Sequence, residues 1–458
     1  MSERVHRLSP EAIAALAAGG GGPTAIEQLA AAEHSKSLIL LQGVVNEARA
    51  AGHPQYPLAL EGYELLDAVA RRDRIAAERV IRHPSVGAWA RRTLVALRGG
   101  PAWPGARPGG LRAVAAAAAI RAGHPAEITI DVADGLAMVP SLGAATVSGT
   151  TAIVRGAGGA ATVGPVRVPT DPYLDGPGWR GLHRVRAWPF DVLIDDVDPF
   201  RYPAAASSLA PRRAGDRWDE ILTGAWSVLK ARHSLVAAEV AAAIWVITPM
   251  AAPQAAAASS ASPEVFGTVA MSLPADPVSG AEMLAHEIQH VKLGALLDQV
   301  PLTLPDDGSR YYAPWRPDPR PLGGLLQGAY AYLGVSGFWR RQRLQEGHEE
   351  RGDAAYARWR AAAAMATDTL GSSGRLTSAG REFVAGMART LAAWEREPVS
   401  ATARASAERA ASEHLTLWQS AHGAATAGVS ASAPVGQIGG GSKSKSSRPP
   451  PDATMTSG

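Results

Sequence analysis

One helix constrains this chain more than any other feature. Residues 285–290 have the sequence AHEIQH, an HExxH pattern in which His286 and His290 are four positions apart. On a helix, that spacing puts both imidazoles on one face, one turn apart, where they can bind a single ion. The surrounding positions are apolar on most sides, which predicts a buried helix over about residues 280–298.

Burial makes the polar residues of this helix informative. Two histidines and Glu287 on a buried helix would be costly unless they share a partner, and a metal ion is such a partner. The alternative is a pair of hydrogen-bonded core histidines. Residues 279–282, SGAE, match a capping box and predict that the helix begins there.

Periodicity along the chain predicts an α+β fold with four parts. Apolar spacing of three and four residues indicates a helical N-terminal domain over residues 1–124. A β-rich region follows over 125–214, where the glycines at 156–159 favour a hairpin turn over a phosphate loop. A mostly helical HExxH metal-binding domain spans 215–423, beginning with one long helix over about 216–242. Residues 424–458 are rich in Gly, Ser, Pro and Lys, which predicts a disordered tail.

Composition narrows the chemistry and the setting. The chain has no cysteine, which excludes disulfides, cysteine zinc sites and thiolate-held iron–sulfur clusters. The formal net charge of +3 is weak support for nucleic-acid binding, so we expect no nucleic-acid partner. The first residues favour a capped helix over a signal peptide, and no long uncharged apolar run suggests a membrane span. We therefore expect a soluble, cytoplasmic protein.

The third metal ligand is not obvious from the sequence. In gluzincin-type zinc peptidases a Glu on a following helix completes the site, but residues 325–332, LLQGAYAY, contain no acid or His. The longer HExxHxxGxxH pattern also fails, because Leu293 and Leu296 occupy its Gly and third His positions. Both observations count against a zinc peptidase. The strand predicted at 266–273 resembles the edge strand of such peptidases, although an ordinary sheet strand explains it equally well.

Several segments together resemble a known family. They are HEIQHVKL at 286–293, LLD at 296–298, YYAPWRPDPRPL at 311–322, LQGAY at 326–330 and HRLS at 6–9. These resemble the HEXXH-motif family associated with ribosomally made, post-translationally modified peptides, over about residues 1–420. The resemblance implies an iron(II)- and 2-oxoglutarate-dependent oxygenase that hydroxylates a β-carbon in a precursor peptide. It also implies a radical-SAM maturase of the same pathway as a further partner.

The resemblance gives roles to particular residues. An oxygenase of this kind needs three protein ligands and a cation for the distal carboxylate of 2-oxoglutarate. Arg316 and Arg320, in a proline-rich loop, are candidates for that cation because a guanidinium binds carboxylate with two hydrogen bonds. Gln327 is the candidate third ligand beside His286 and His290, since a polar residue is unexpected in its apolar stretch.

Three functions remain open at this stage. The oxygenase is preferred, an HExxH zinc metallopeptidase is the alternative, and a non-catalytic peptide-binding or scaffold protein is the third. Glu287 would be the general base of a peptidase. In an oxygenase it would be a ligand or would orient a histidine. Lys292 follows His290 by two positions, on roughly the opposite helix face, and is expected to be paired at the surface.

Overall fold

The computed structural model describes residues 8–203, 209–212, 216–252, 258–345 and 349–423. These residues form thirteen α-helices and twelve β-strands, so the predicted α+β class is confirmed. The predicted tail, 424–458, lies outside the described residues, and the predicted domain boundaries stay a prediction. Among the described helices, none has the length and apolar character needed to cross a membrane.

The N-terminal third is helical, as predicted. Helix α1 begins after Ser9, whose hydroxyl accepts a hydrogen bond from the Ala12 amide at 3.1 Å. The helices of this part are α1 (Pro10–Ala17), α2 (Gly22–Ala50), α3 (Tyr56–Arg72), α4 (Arg74–Ile81), α5 (Pro84–Leu97) and α6 (Leu111–Ala122).

Two antiparallel sheets follow. Four strands pair in the order β1 (Ala126–Asp131), β4 (Thr151–Ala157), β5 (Ala160–Val163), β6 (Val166–Val168), and three in the order β2 (Leu136–Val139), β3 (Gly143–Thr146), β7 (Trp179–Gly181). Gly158 and Gly159, with φ of 60° and 85°, make the β4–β5 turn, which only glycine adopts without strain. The predicted hairpin is therefore confirmed.

A third sheet supports the HExxH helix. Its strands are β8 (His183–Ala187), β9 (Phe190–Ile194), β10 (Val246–Pro249), β11 (Ser259–Ala261) and β12 (Thr268–Met271), in the order β11-β12-β10-β9-β8. Strands β9, β10 and β12 are parallel. The strand predicted to resemble an edge strand is β12, and that expectation is wrong because β11 pairs along it and takes the edge.

The C-terminal part is mostly helical, as predicted. They are α7 (Trp218–Arg232), α8 (Ser234–Ala243), α9 (Pro277–Leu297), α10 (Leu322–Gln342), α11 (Glu349–Ser372), α12 (Ser378–Glu395) and α13 (Ala401–His422). The prediction of a single helix over 216–242 is wrong, because the helix is interrupted at His233, between α7 and α8. The buried His233 ring stacks on Phe338 at 4.4 Å and meets the Gln342 Oε1 atom at 3.1 Å.

Helix α9 begins earlier than the sequence suggested. Its N-cap is Asp276, whose side chain accepts from the Ser279 amide at 2.9 Å, and Pro277 occupies the first turn. The capping box predicted at 279–282 is therefore wrong. The helix begins at Asp276 because the Asp276 carboxylate accepts a hydrogen bond from a free amide of the first turn, one turn before the predicted box.

Lys292 lies at the centre of the packing around α9. Its side chain is 0% exposed and its Nζ lies 2.7 Å from Glu239 Oε2 on α8. The same ammonium donates to the Gly20 carbonyl at 2.8 Å, in the turn between α1 and α2. The expected surface position is wrong, because that turn and α8 cover the face of α9 opposite the histidines.

We expect Lys292→Met to lower the free energy of unfolding by about 3–5 kcal/mol, because it leaves the Glu239 carboxylate buried and unpaired. Lys230→Met, at an exposed position on α7, should change it by no more than about 0.5 kcal/mol. Urea unfolding followed by circular dichroism measures both. Adding Glu239→Gln to Lys292→Met should recover part of the loss, and a loss that simply doubled would contradict the pairing.

Candidate metal centre

The two histidines of α9 face one another at the wall of a cleft. His286 Nε2 and His290 Nε2 are 3.2 Å apart, with ring centroids separated by 4.9 Å. Both side chains are half-buried and line a cleft of about 600 Å³. The sequence prediction that these residues converge therefore agrees with the described geometry.

The spacing of the two nitrogens fits a shared metal ion. Nitrogens 3.2 Å apart and each about 2.1 Å from one ion would subtend about 100° at that ion, between octahedral and tetrahedral values. Burial lowers the pKa of His286 to about 3, and the neighbouring His290 ring adds to the effect. A neutral imidazole keeps the lone pair that a metal requires.

Gln327 holds His290 in the orientation this requires. Its Oε1 atom lies 3.0 Å from His290 Nδ1. An amide oxygen only accepts, so the ring proton belongs on Nδ1 and the lone pair on Nε2, which faces His286. In this arrangement Gln327 is an orienting partner. Its predicted role as third ligand stays a prediction that would require the amide to leave this hydrogen bond.

Glu287 lies beneath the histidine pair. Its carboxylate is 0% exposed, and Oε1 accepts from the Ser259 hydroxyl at 2.6 Å and lies 3.9 Å from His286 Nε2. Oε2 has no hydrogen-bond partner among the described residues. Burial raises the pKa of this carboxyl group. Strand β11, which carries Ser259, thus connects the sheet edge to the candidate metal centre.

A closed loop brings the two predicted arginines to the same cleft. Tyr311 and Arg320 pair through backbone hydrogen bonds of 2.8 and 2.9 Å, which close the loop between them. Arg316 and Arg320 both line the cleft, and both bond Asp318, at 2.8 and 3.1 Å. Asp318 offsets one of their two positive charges. Sequence reasoning missed this acid, although it lies between the two arginines.

An aromatic wall of Trp315 and Tyr332 completes the cleft. Trp315 stacks on Tyr332 at 4.7 Å, and Tyr332 meets the His286 ring edge-on at 5.3 Å. The Trp315 ring fits against α10 because Gly328 has no Cβ, which would come within 2.4 Å of the ring. Burial raises the pKa of Tyr332 to about 12, so its hydroxyl stays protonated near neutral pH.

A second cluster of potential ligands lies elsewhere. His83, Asp195 and Asp198 are buried, and their donor atoms lie within 4.8 Å of one another. Among the described residues this is the only such group of three His, Asp or Glu side chains. Sequence reasoning missed it because His83 belongs to the helical region and the two acids follow a strand.

The chain matches no protein-family model and no curated protein. Its class is therefore defined by the described geometry, an α+β protein with two converging histidines on a buried HExxH helix. The family resemblance stays an expectation.

We expect His286→Ala and His290→Ala each to lower the bound metal by one equivalent per chain, because one imidazole cannot hold the ion alone. Gln327→Leu should retain the ion but weaken its affinity roughly 10- to 100-fold, since it removes only the partner of His290 Nδ1. Titration of the metal-free protein, with metal analysis by mass spectrometry, measures both. A complete loss in Gln327→Leu would instead make Gln327 a ligand.

Proposed function

We propose that this protein is an iron(II)- and 2-oxoglutarate-dependent oxygenase that hydroxylates a β-carbon in a ribosomally made precursor peptide. The observation that carries the proposal is that two half-buried imidazoles and two arginines line one cleft. Imidazole nitrogens suit iron(II), and guanidinium groups suit the carboxylates of a 2-oxoacid.

Each group in the cleft has a distinct task in this proposal. His286 and His290 would hold iron(II), and Gln327 would keep the His290 lone pair directed at it. Arg316 or Arg320 would bind the distal carboxylate of 2-oxoglutarate, helped by the single uncompensated charge that Asp318 leaves. Bound iron and 2-oxoglutarate would supply the oxidising chemistry with O2. The aromatic wall would exclude water from the substrate carbon.

Strand β11 offers a place for the peptide. It is the edge strand of its sheet, and its three residues, Ser259–Ala261, line the cleft beside the histidines. An extended peptide could pair with such an edge through main-chain hydrogen bonds. A side chain directed inward would then lie near His286 and Tyr332.

The proposal extends to the setting of the enzyme. We propose a gluzincin-like arrangement for residues 215–423, supported by the packing of α10 against the HExxH helix α9. The precursor peptide, and a radical-SAM maturase acting in the same cytoplasmic pathway, are the proposed partners. The four-part domain division belongs to the same proposal.

A zinc metallopeptidase is the second candidate, and Glu287 is the observation that favours it. The carboxylate lies 3.9 Å from His286 Nε2 and keeps one oxygen without a partner among the described residues, as a general base for water would. The third acid ligand expected of such a peptidase has no counterpart, since no described Asp, Glu or His makes a three-residue ligand group with His286 and His290. The oxygenase likewise depends on Gln327 for a third protein ligand. A non-catalytic peptide-binding protein is the third outcome.

Peptide mass distinguishes these functions. With iron, ascorbate, air and 2-oxoglutarate, we expect the precursor peptide to gain one oxygen, together with release of succinate. Arg316→Ala should raise the KM for 2-oxoglutarate roughly ten- to a hundredfold, since a charge-assisted hydrogen bond contributes about 1.5–3 kcal/mol. Arg310→Ala is the matched control, because Arg310 pairs with Asp306, 3.1 Å away, outside the set of cleft residues. Cleavage fragments of the peptide that form without 2-oxoglutarate would contradict the oxygenase proposal and support the peptidase.

Glu287→Gln separates the two enzymes by the size of its effect. A peptidase would lose roughly 10²–10⁴-fold in rate with its metal still bound, because the general base is gone. In the oxygenase we expect a smaller loss that added iron partly restores, since the carboxylate would act only through the position of His286. Turnover rates at several iron concentrations, with metal content measured in parallel, decide between them.

A further inference from the structure

The cluster of His83, Asp195 and Asp198 joins two parts of the fold. His83 immediately precedes helix α5, which begins at Pro84. Asp195 and Asp198 follow strand β9 at its carboxyl end, next to the parallel strand β10. The three residues are 5%, 0% and 2% exposed, so bulk water does not reach their polar atoms.

The backbone satisfies this cluster only in part. Asp195 Oδ1 accepts from the amides of Val197 and Asp198 at 3.0 and 2.9 Å, and Asp198 Oδ1 accepts from the Phe200 amide at 2.8 Å. Asp195 Oδ2 and His83 Nε2 have no hydrogen-bond partner among the described residues. Buried polar atoms without partners are rare and call for a physical explanation.

The nearby cations do not provide that partner. Arg201 donates at 2.7 Å to the backbone carbonyl of Asp198 rather than to its carboxylate. Arg92 lies 3.6 Å from Glu264 and over the Trp103 ring. In the described part of the chain, no ion pair within 4.0 Å reaches Asp195 or Asp198. Two buried carboxylates without a contacting cation are costly.

We propose that His83, Asp195 and Asp198 bind a divalent transition-metal ion such as Zn²⁺ or Mn²⁺. One nitrogen and two carboxylate oxygens suit these ions, whereas Ca²⁺ takes six to eight oxygens. The donor atoms lie within 4.8 Å of one another. An ion about 2.1 Å from each would hold them at most about 4.2 Å apart, so even at the 4.8 Å limit only a small movement of the side chains is needed. This site shares no residue with the HExxH centre.

The ion would fix a segment that reaches the other site. Beyond Asp198 the chain continues to Tyr202, whose hydroxyl donates to Ser260 Oγ at 2.7 Å on strand β11. The adjacent Ser259 holds Glu287. A cation between α5 and this segment therefore stabilises the end of β9 and, through it, the support of β11. The inference does not rest on the proposed oxygenase activity.

The test uses full-length His286→Ala/His290→Ala protein, in which the first site is removed. After treatment with a chelator and titration with Zn²⁺ or Mn²⁺ alone, we expect one equivalent to remain bound after gel filtration and the melting temperature to rise. Adding Asp195→Asn or Asp198→Asn, which keep the shape of the side chain, should weaken binding by more than the roughly 10- to 100-fold that loss of an outer partner costs.

Asp196→Asn is the matched control, because Asp196 is a buried neighbour whose carboxylate bonds Arg180 and the Arg212 amide instead. It should retain the equivalent. No equivalent in the starting variant, or equal binding in the Asp195 and Asp196 variants, would overturn the proposal. If the double alanine variant does not fold, the same comparison in the wild-type chain tests it, as a loss from two equivalents to one.

Discussion

Helix α9 is buried on nearly every side, so each polar group that it carries must find a partner inside the protein. The partners lie on α10, α8, strand β11 and the α1–α2 turn, and these contacts hold the surrounding fold in place. The pairs are Glu282 with Trp339, Glu287 with Ser259, Gln289 with the Gly19 carbonyl, His290 with Gln327, and Lys292 with Glu239. Of the polar side chains of α9, His286 and His290 line the cleft.

The burial of α9 also explains why its two faces have different roles, one packed against the fold and the other carrying the histidines. Lys292 and Glu239 are both fully buried and anchor the face of α9 opposite the histidines. A buried pair of this kind contributes specificity of position more than net stability, since desolvation offsets much of its attraction. Because that face is fixed by α8 and the α1–α2 turn, His286 and His290 keep a constant position toward the cleft.

The third sheet contacts both candidate metal sites. Its edge strand β11 supports Glu287 through Ser259, and the end of strand β9 carries Asp195 and Asp198. Ligand sites commonly lie at the carboxyl ends of parallel strands, where loops diverge. The segment after Asp198 connects the two sites, because Tyr202 donates a hydrogen bond to Ser260 on β11. Through this sheet, a structural change at one site can alter the geometry of the other.

The sequence by itself determined the α+β class, the helical N-terminal and C-terminal parts and the convergence of His286 with His290, because helix periodicity is local and one turn fixes that pair. It also indicated Arg316 and Arg320, because the proline-rich loop that carries them follows α9 closely in the sequence and so must lie near it in space. Only the tertiary structure decided the partners. The burial of Lys292, the break at His233, the edge position of β11 and the grouping of His83 with Asp195 depend on elements distant in the chain. No local pattern encodes which of those surfaces meet.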